Sequence, residues 1–309
     1  GHEAEGPGAA TTAATVSLPT VYLVDASVYL FRAWFSMPDD FVNDAGEPTN
    51  AVYGFTGFLC NLLEQTGAQH VAVAFDISLS SSYRNEIYPE YKANRDPAPV
   101  ELKRQFGWAR SVAEAMGLSC YADDRYEADD LIGTLAEYWR AQGHPICVVT
   151  ADKDLAQLVR EDDHWWDFTR NMKLNPVQLT EKFGVLPEQM ADYLALTGDS
   201  VDNIPGIPGI GPKSASALLK EFGNLDSLFE RVDEVAGMKI RGAKSIHRKL
   251  VDHRDAAELA RRLTIIETAV ESALAAPDLT RSKVDEARLH SLFDELAFGG
   301  MLRNRCLRA

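Results

Sequence analysis

No stretch of the sequence approaches the roughly 18 consecutive apolar residues of a membrane span, and its opening, GHEAEGPGAATTAATVSLPT, lacks the basic-then-apolar pattern of a secretory leader. The expectation is a floppy tail over residues 1–19, no membrane partner and a cytoplasmic setting. Cysteine is scarce: Cys60, Cys120, Cys147 and Cys306 stand far apart with no C-x-x-C pair. That spacing suits neither a zinc ribbon nor a disulfide framework, and it fits a reduced compartment. Basic residues are in deficit, with 31 Lys and Arg against 46 Asp and Glu and a formal net charge of −15. Such a balance argues at first sight against a nucleic-acid partner, because phosphate binding draws on Lys and Arg.

Distribution matters more than the sum. Residues 238–254, MKIRGAKSIHRKLVDHR, carry Lys239, Arg241, Lys244, Arg248, Lys249 and Arg254 against one acid, Asp252. This is a local basic face, with an ordinary solvated helix surface as the plain alternative. The 309 residues, 46% hydrophobic, suffice for one large domain or two ordinary ones around a real core. Apolar strands alternate with helical stretches to about residue 170, the pattern of a parallel α/β sheet, and beyond that the chain turns helical.

Three short β-branched runs, VYLVD (21–25), HVAVAFD (70–76) and ICVVTADKD (146–154), run straight into aspartate. Ligand sites in open α/β sheets gather at the carboxyl ends of strands, so Asp25, Asp76, Asp152 and Asp154 are candidates for one crevice. A helix cap explains any one of them; three strands ending alike favour a shared site. In RYEADDLIGTLAEYW (125–139), Glu127, Asp129 and Asp130 crowd a helix start. Glu127 and Asp130, three apart, share a face, and Asp129 is expected to point away unless the first turn is irregular. Helix-dipole chemistry accounts for one acid well and three poorly. Neighbouring carboxylates raise one another's pKa, so the cluster calls for Lys, Arg or a hard divalent cation such as Mg²⁺ or Mn²⁺. Asp199 and Asp202 form a further pair, followed by GIPGIGPKSA, in which Gly206, Gly209 and Gly211 precede a helix expected from about Pro212 to Phe222. Glycines admit close backbone approach and a helix start offers free N–H groups, so this turn with Lys213 reads as a phosphate clamp.

Taken in order, VDAS with Asp25, AFD with Asp76, YKANR (91–95), EADD (127–130), TADKDLAQLV (150–159) and GDSVDNIPGIPGIGPKSA (198–215) resemble the 5′-nuclease family. That family comprises flap endonucleases and 5′–3′ exonucleases, including the nuclease domain of bacterial DNA polymerase I. The resemblance covers roughly residues 20–295. It implies a PIN-like α/β core with a central, mainly parallel sheet over residues 20–190, an arch near 79–105, and a helical helix-three-turn-helix region over 191–309. It also implies that Asp25, Asp76, Glu127, Asp129, Asp130, Asp152, Asp154, Asp199 and Asp202 hold two or more Mg²⁺ or Mn²⁺ ions, some through water. Many acids can serve two ions when those ions keep part of their hydration. Lys92 and Arg95 match residues that act on the scissile phosphate in relatives. Tyr91 is expected to stack on a base, and Arg32 and Arg84 are weaker candidates for phosphate contact. The glycine hairpin is expected to grip duplex DNA without reading bases and to bind K⁺ through its carbonyls.

The implied protein is a monomeric, structure-specific 5′–3′ exonuclease and flap endonuclease of bacterial, nucleoid-associated type. Its implied substrates are flaps, nicked duplex and RNA primer ends. With no polymerase segment after Ala309, a free-standing nuclease or a cut-down piece of a longer protein is expected. Two alternatives stand beside it. One is a catalytically inactive DNA-junction binder on the same fold, against which the full acid set and Lys92 argue. The other is a phosphatase-like hydrolase, suggested by TADKDL, which leaves the glycine hairpin unexplained. Asn50 stands where relatives often carry glycine, and Trp165-Trp166 has no expected role beyond core packing.

Overall fold

The computed structural model describes residues 17–78 and 81–309; most of the expected tail and two residues of the arch fall outside them. Six strands form one sheet: β1 (Val21–Asp25), β2 (His70–Ala74), β3 (Ser119–Tyr121), β4 (Ile146–Val149), β5 (His164–Asp167) and β6 (Met172–Leu174). Their order is β3-β2-β1-β4-β5-β6, all parallel except β6, which runs antiparallel to β5. The expected mainly parallel α/β core is present. From β1 the chain first builds β2 and β3 on one side, then crosses back to β4 and β5 on the other. The strand order therefore reverses at the β1–β4 pair, and a crevice opens beyond the carboxyl ends of these two strands.

The central strands are apolar on both faces, as a sheet covered on both sides requires. One face packs against the helix Ala128–Ala141 through Leu131, Ile132, Leu135 and Ala136. The other packs against the helices Asn50–Thr66 and Val100–Ala115, with Phe55, Leu59, Leu102 and Val112 in the layer. Adjacent strand residues point to opposite faces, so Trp165 enters the first layer and Trp166 the second. The helix Asn50–Thr66 stops at Gly67, whose φ of +59° a β-carbon would strain and whose N–H closes on the Leu63 carbonyl.

Past β6 the chain is helical, including Met190–Thr197, Pro212–Phe222, Ala243–Asp252 and Arg254–Thr264. Residues 277–285 then return along the edge of the sheet, where Arg281 N–H donates to the Gln69 carbonyl and Ser282 N–H to that of Gly117. The last two helices, Glu286–Leu296 and Gly300–Arg308, pack on the α/β core, not on the helical region. Leu289, Phe293, Leu296 and Leu302 share an apolar layer with Leu59 and Phe106. Burying a side chain the size of Phe293 contributes about 1.5–3 kcal/mol, so this segment is an integral part of the core. The helical stretch expected over 191–309 is thus divided in its packing, its last two helices lying on the α/β core. The same packing brings Cys60 and Cys306 Sγ atoms to 3.4 Å. Among the described residues no helix is long and apolar enough to cross a membrane.

Candidate active site

Each strand-end acid is held in place by a neighbour. Asp25 closes β1 and accepts a hydrogen bond from the Thr150 hydroxyl at 2.9 Å. Asp76, just beyond β2, accepts from the Ser27 hydroxyl at 2.6 Å and from the Ala128 N–H at 2.8 Å, so it also ties down the start of the acidic helix. Asp152 follows β4 and caps a 3₁₀ turn through the Asp154 N–H, while the Trp165 indole donates to its carbonyl at 2.9 Å. Trp165 thus does more than fill the core. Glu127 is the N-cap residue of Ala128–Ala141, and Asp129 sits in its first turn. These five acids line one crevice of about 600 Å³ with Lys92, Arg95 and Asp202. Its opposite wall is apolar, formed by Val28, Phe31, Trp34 and Phe35 of the helix Ala26–Ser36.

A second cleft of about 360 Å³ adjoins it and shares Asp152 and Asp202. Here Asp154, Asp199 and Asp202 each offer an oxygen within 4.8 Å of the others. The turn carrying Asp199 and Asp202 is closed by paired backbone bonds between Asp199 and Ile204. Lys153 Nζ lies 3.3 Å from Asp199 and 3.6 Å from Asp154. One Asp154 oxygen, Oδ1, is buried without a hydrogen-bond donor.

The electrostatics follow from this crowding. Burial pushes the Asp25 carboxyl up to about 8, helped by Asp76 and Asp152. Asp76, Asp129, Asp152 and Asp154 are raised as well, in each case mainly by desolvation; Asp152 adds to the effect at Asp129 and Asp154. Glu127 is the exception: Lys92 and Arg84 outweigh its burial and hold it down at about 2. An all-oxygen donor set, carboxylates frustrated by one another and an undonated Asp154 oxygen fit hard divalent cations.

Eight of the nine expected metal acids meet in the two clefts; Asp130 does not. It is wholly buried, clamped by Arg84 at 2.8 Å through both oxygens and by the N–H groups of Glu127 and Glu267. The expectation for Asp129 and Asp130 is therefore inverted: the Asp130 carboxylate turns inward to accept from the Glu127 N–H and from Arg84, while Asp129 lines the crevice. Arg84, expected at a phosphate, is 2% exposed and committed to Glu127 and Asp130. Tyr91, expected to stack on a base, is 5% exposed; its hydroxyl bonds to Glu127, so the ring is not an open platform. Arg32 is forked onto Asp167 at 2.7 and 2.9 Å, which occupies the guanidinium that was expected to reach a phosphate.

Lys92 takes a left-handed φ of 56°, its N–H bonded to the Asp202 carbonyl, and its ammonium contacts Glu127. That contact raises its pKa well above the ordinary value despite burial. Arg95 reaches Asp202 from a partly exposed position. Both expected cations therefore overhang the acids. In the hairpin, a β-carbon on Gly206 would run into the backbone of Gly198 and Thr197, so the close approach it permits is to the chain itself. Gly209, at φ +82°, faces the Lys249 amino group, and Gly211 caps the helix Pro212–Phe222, which begins where expected with Lys213 exposed. Lys249, Lys153, Ser27 and Thr150 were not singled out for the site from sequence. Lys249 lay in the basic run, Ser27 in VDAS, and Thr150 and Lys153 in TADKDLAQLV, but the latter two motifs were read for their acids alone.

Carboxylates converging at the carboxyl edge of a parallel sheet, overhung by cations and flanked by a glycine hairpin, form a candidate metal-binding site of the α/β class. The chain belongs to the 5′–3′ exonuclease family: residues 20–184 match its N-terminal resolvase-like domain and residues 185–287 its C-terminal SAM fold. It is 38% identical over 294 residues to DNA polymerase I of Mycobacterium tuberculosis, covering 93% of this chain and 31% of that protein. It is 40% identical over 257 residues to DNA polymerase I of Rhizobium leguminosarum, covering 81% and 25%. The chain thus spans about a third or less of these relatives. In fold it is similar to T5 5′-exonuclease with bound zinc, at TM-score 0.65 and 19% identity, covering 94% of this chain and 97% of that one. The catalytic core of Rad2 with DNA substrate gives TM-score 0.61 at 16% identity, covering 95% and 93%.

Proposed function

We propose that this chain is a structure-specific 5′ nuclease that hydrolyses DNA phosphodiester bonds with two or more Mg²⁺ or Mn²⁺ ions. The convergence of eight carboxylates into two adjoining clefts carries this reading. Asp25, Asp76, Glu127, Asp129 and Asp152 would hold one ion, and Asp152, Asp154, Asp199 and Asp202 another, directly or through water. Bound there, the ions supply Lewis-acid activation of water and charge neutralisation at phosphorus.

The chain's own residues do the rest. Lys92 and Arg95 bring positive charge to where charge would develop on the scissile phosphate, in the crevice they line with the acids. Gly209, Lys249, Lys213 and the N–H groups before Pro212–Phe222 grip a duplex backbone, and contacts of that kind position DNA without reading sequence. Potassium would sit on the hairpin carbonyls. The substrates we assign are 5′ flaps, nicked duplex and RNA primer ends, met by a monomer acting at the nucleoid.

The test is a 5′-labelled flap duplex incubated with Mg²⁺ and resolved by product length. Release of the whole flap near the junction, or of mononucleotides, supports the reading. Tight flap binding without cleavage in Mn²⁺ would make the chain a junction binder. Hydrolysis of small phosphoesters with none of DNA would overturn the nuclease assignment.

A further inference from the structure

Arg84 is a buried cation that neither a phosphate contact nor simple core packing accounts for. A guanidinium has five N–H donors, and here every one is engaged. Nη1 donates to Glu127 at 2.5 Å and to Asp130 at 2.8 Å, Nη2 to Asp130 at 2.8 Å and to the Ile265 carbonyl at 2.9 Å, and Nε to the Leu263 carbonyl at 2.8 Å. None is left for a substrate. Asp130 is equally saturated, since the Glu127 and Glu267 N–H groups complete its two oxygens.

Three separate parts of the chain meet at this point. Arg84 belongs to the short helix Tyr83–Ile87 at the base of the expected arch, Asp130 to the acidic helix, and Leu263 to Glu267 to the end of the helical region. The last two are also pressed together at Gly133, where a β-carbon would meet Ile266 and the Glu267 carbonyl, and Val270 N–H bonds to Thr134. The consequence falls on Glu127. One of its oxygens is fixed by Arg84, leaving the other to Lys92, while Tyr91 reaches both.

We propose that Arg84, locked by Asp130, is a positioning residue: it sets the orientation of the Glu127 carboxylate in the crevice and ties that orientation to the 263–267 turn of the helical region. The proposal rests on the reading of the crevice as a metal-dependent nuclease site. Groups that orient metal ligands behave this way in general, and losing one typically costs about 10- to 100-fold in metal affinity or activity.

The test measures Mn²⁺ binding to the free protein by calorimetry, and flap-DNA binding without divalent metal, for Arg84→Met, Arg84→Lys and Asp130→Asn. Arg84→Met should weaken Mn²⁺ binding by about 10- to 100-fold and leave DNA affinity and its salt dependence unchanged. Arg84→Lys should rescue only part of the loss, because an ammonium cannot reproduce the fork. Combined with Glu127→Gln, Arg84→Met should add no further loss, since it acts through that carboxylate. Wild-type Mn²⁺ affinity in folded Arg84→Met, or a weaker and less salt-dependent grip on DNA with metal binding intact, would overturn the proposal. If Arg84→Met does not fold, the Mn²⁺ affinity of Arg84→Lys decides: lowered supports it, unchanged refutes it. A wild-type chain that binds Mn²⁺ but cleaves no flap would sink the nuclease reading and leave this comparison standing.

Discussion

Asp25 offers the sharpest thermodynamic consequence of the crowded crevice. Its carboxyl is buried, and desolvation with Asp76 and Asp152 alongside moves it from an ordinary 3.8 to about 8. In the unfolded chain it ionises near the ordinary value. Between these two values the folded protein therefore keeps a proton that the unfolded chain has lost, and stability falls by about 1.36 kcal/mol per pH unit. The stabilisation is complete below about pH 4 and gone once the pH has risen through about 8, a loss on the order of 5 kcal/mol for this group. Asp25→Asn preserves the shape and the acceptor for Thr150 but cannot ionise. Urea denaturation in EDTA across this range should show a steep decline for the wild type and a clearly shallower one for the variant. Above pH 8 the variant should be the more stable by several kcal/mol. Saturating Mn²⁺ should narrow the gap, because metal at 100 times its Kd stabilises the native wild type by about 2.7 kcal/mol and the variant by less. Parallel pH slopes for the two proteins in EDTA would refute the reasoning.

On the role proposed for Lys92 at the scissile phosphate, Lys92→Ala should slow single-turnover flap cleavage by about 100-fold or more at neutral pH while leaving flap affinity nearly intact; an equal loss in binding and rate would assign it to ground-state grip instead. Gly206→Ala should destabilise the fold by about 1–3 kcal/mol, because the new methyl enters the Gly198 and Thr197 backbone, and should loosen duplex binding with it. Wild-type melting and affinity in that variant would contradict the close approach.

The strand-end acids were legible because three β-branched runs each feed an aspartate, and a parallel sheet brings such ends together whatever their separation in sequence. The start of Pro212–Phe222 was equally plain from its glycines and proline. What sequence did not reveal is how side chains are apportioned once several elements meet. Asp129 and Asp130 look interchangeable in EADD, and only the Glu127 N–H and Arg84, 46 positions away, both donating to Asp130, decide which one faces the crevice. Tyr91 reads as an exposed aromatic in a charged stretch, yet Glu127 draws its hydroxyl inward. The return of Glu286–Leu296 to the core, and the meeting of Cys60 with Cys306 across 246 positions, depend on packing between distant segments that no local pattern encodes. Gly206 was rightly seen as a site of close approach, but its partner is Gly198.

The central claim is that the two adjoining carboxylate clefts are metal sites, and crystals grown with Mn²⁺ test it most directly. An anomalous difference map should show one peak among Asp25, Asp76, Glu127, Asp129 and Asp152, and another among Asp152, Asp154, Asp199 and Asp202, with Asp130 remote from both. A map at saturating Mn²⁺ without a peak in either cleft, or with Mn²⁺ bound at Asp130, would contradict it.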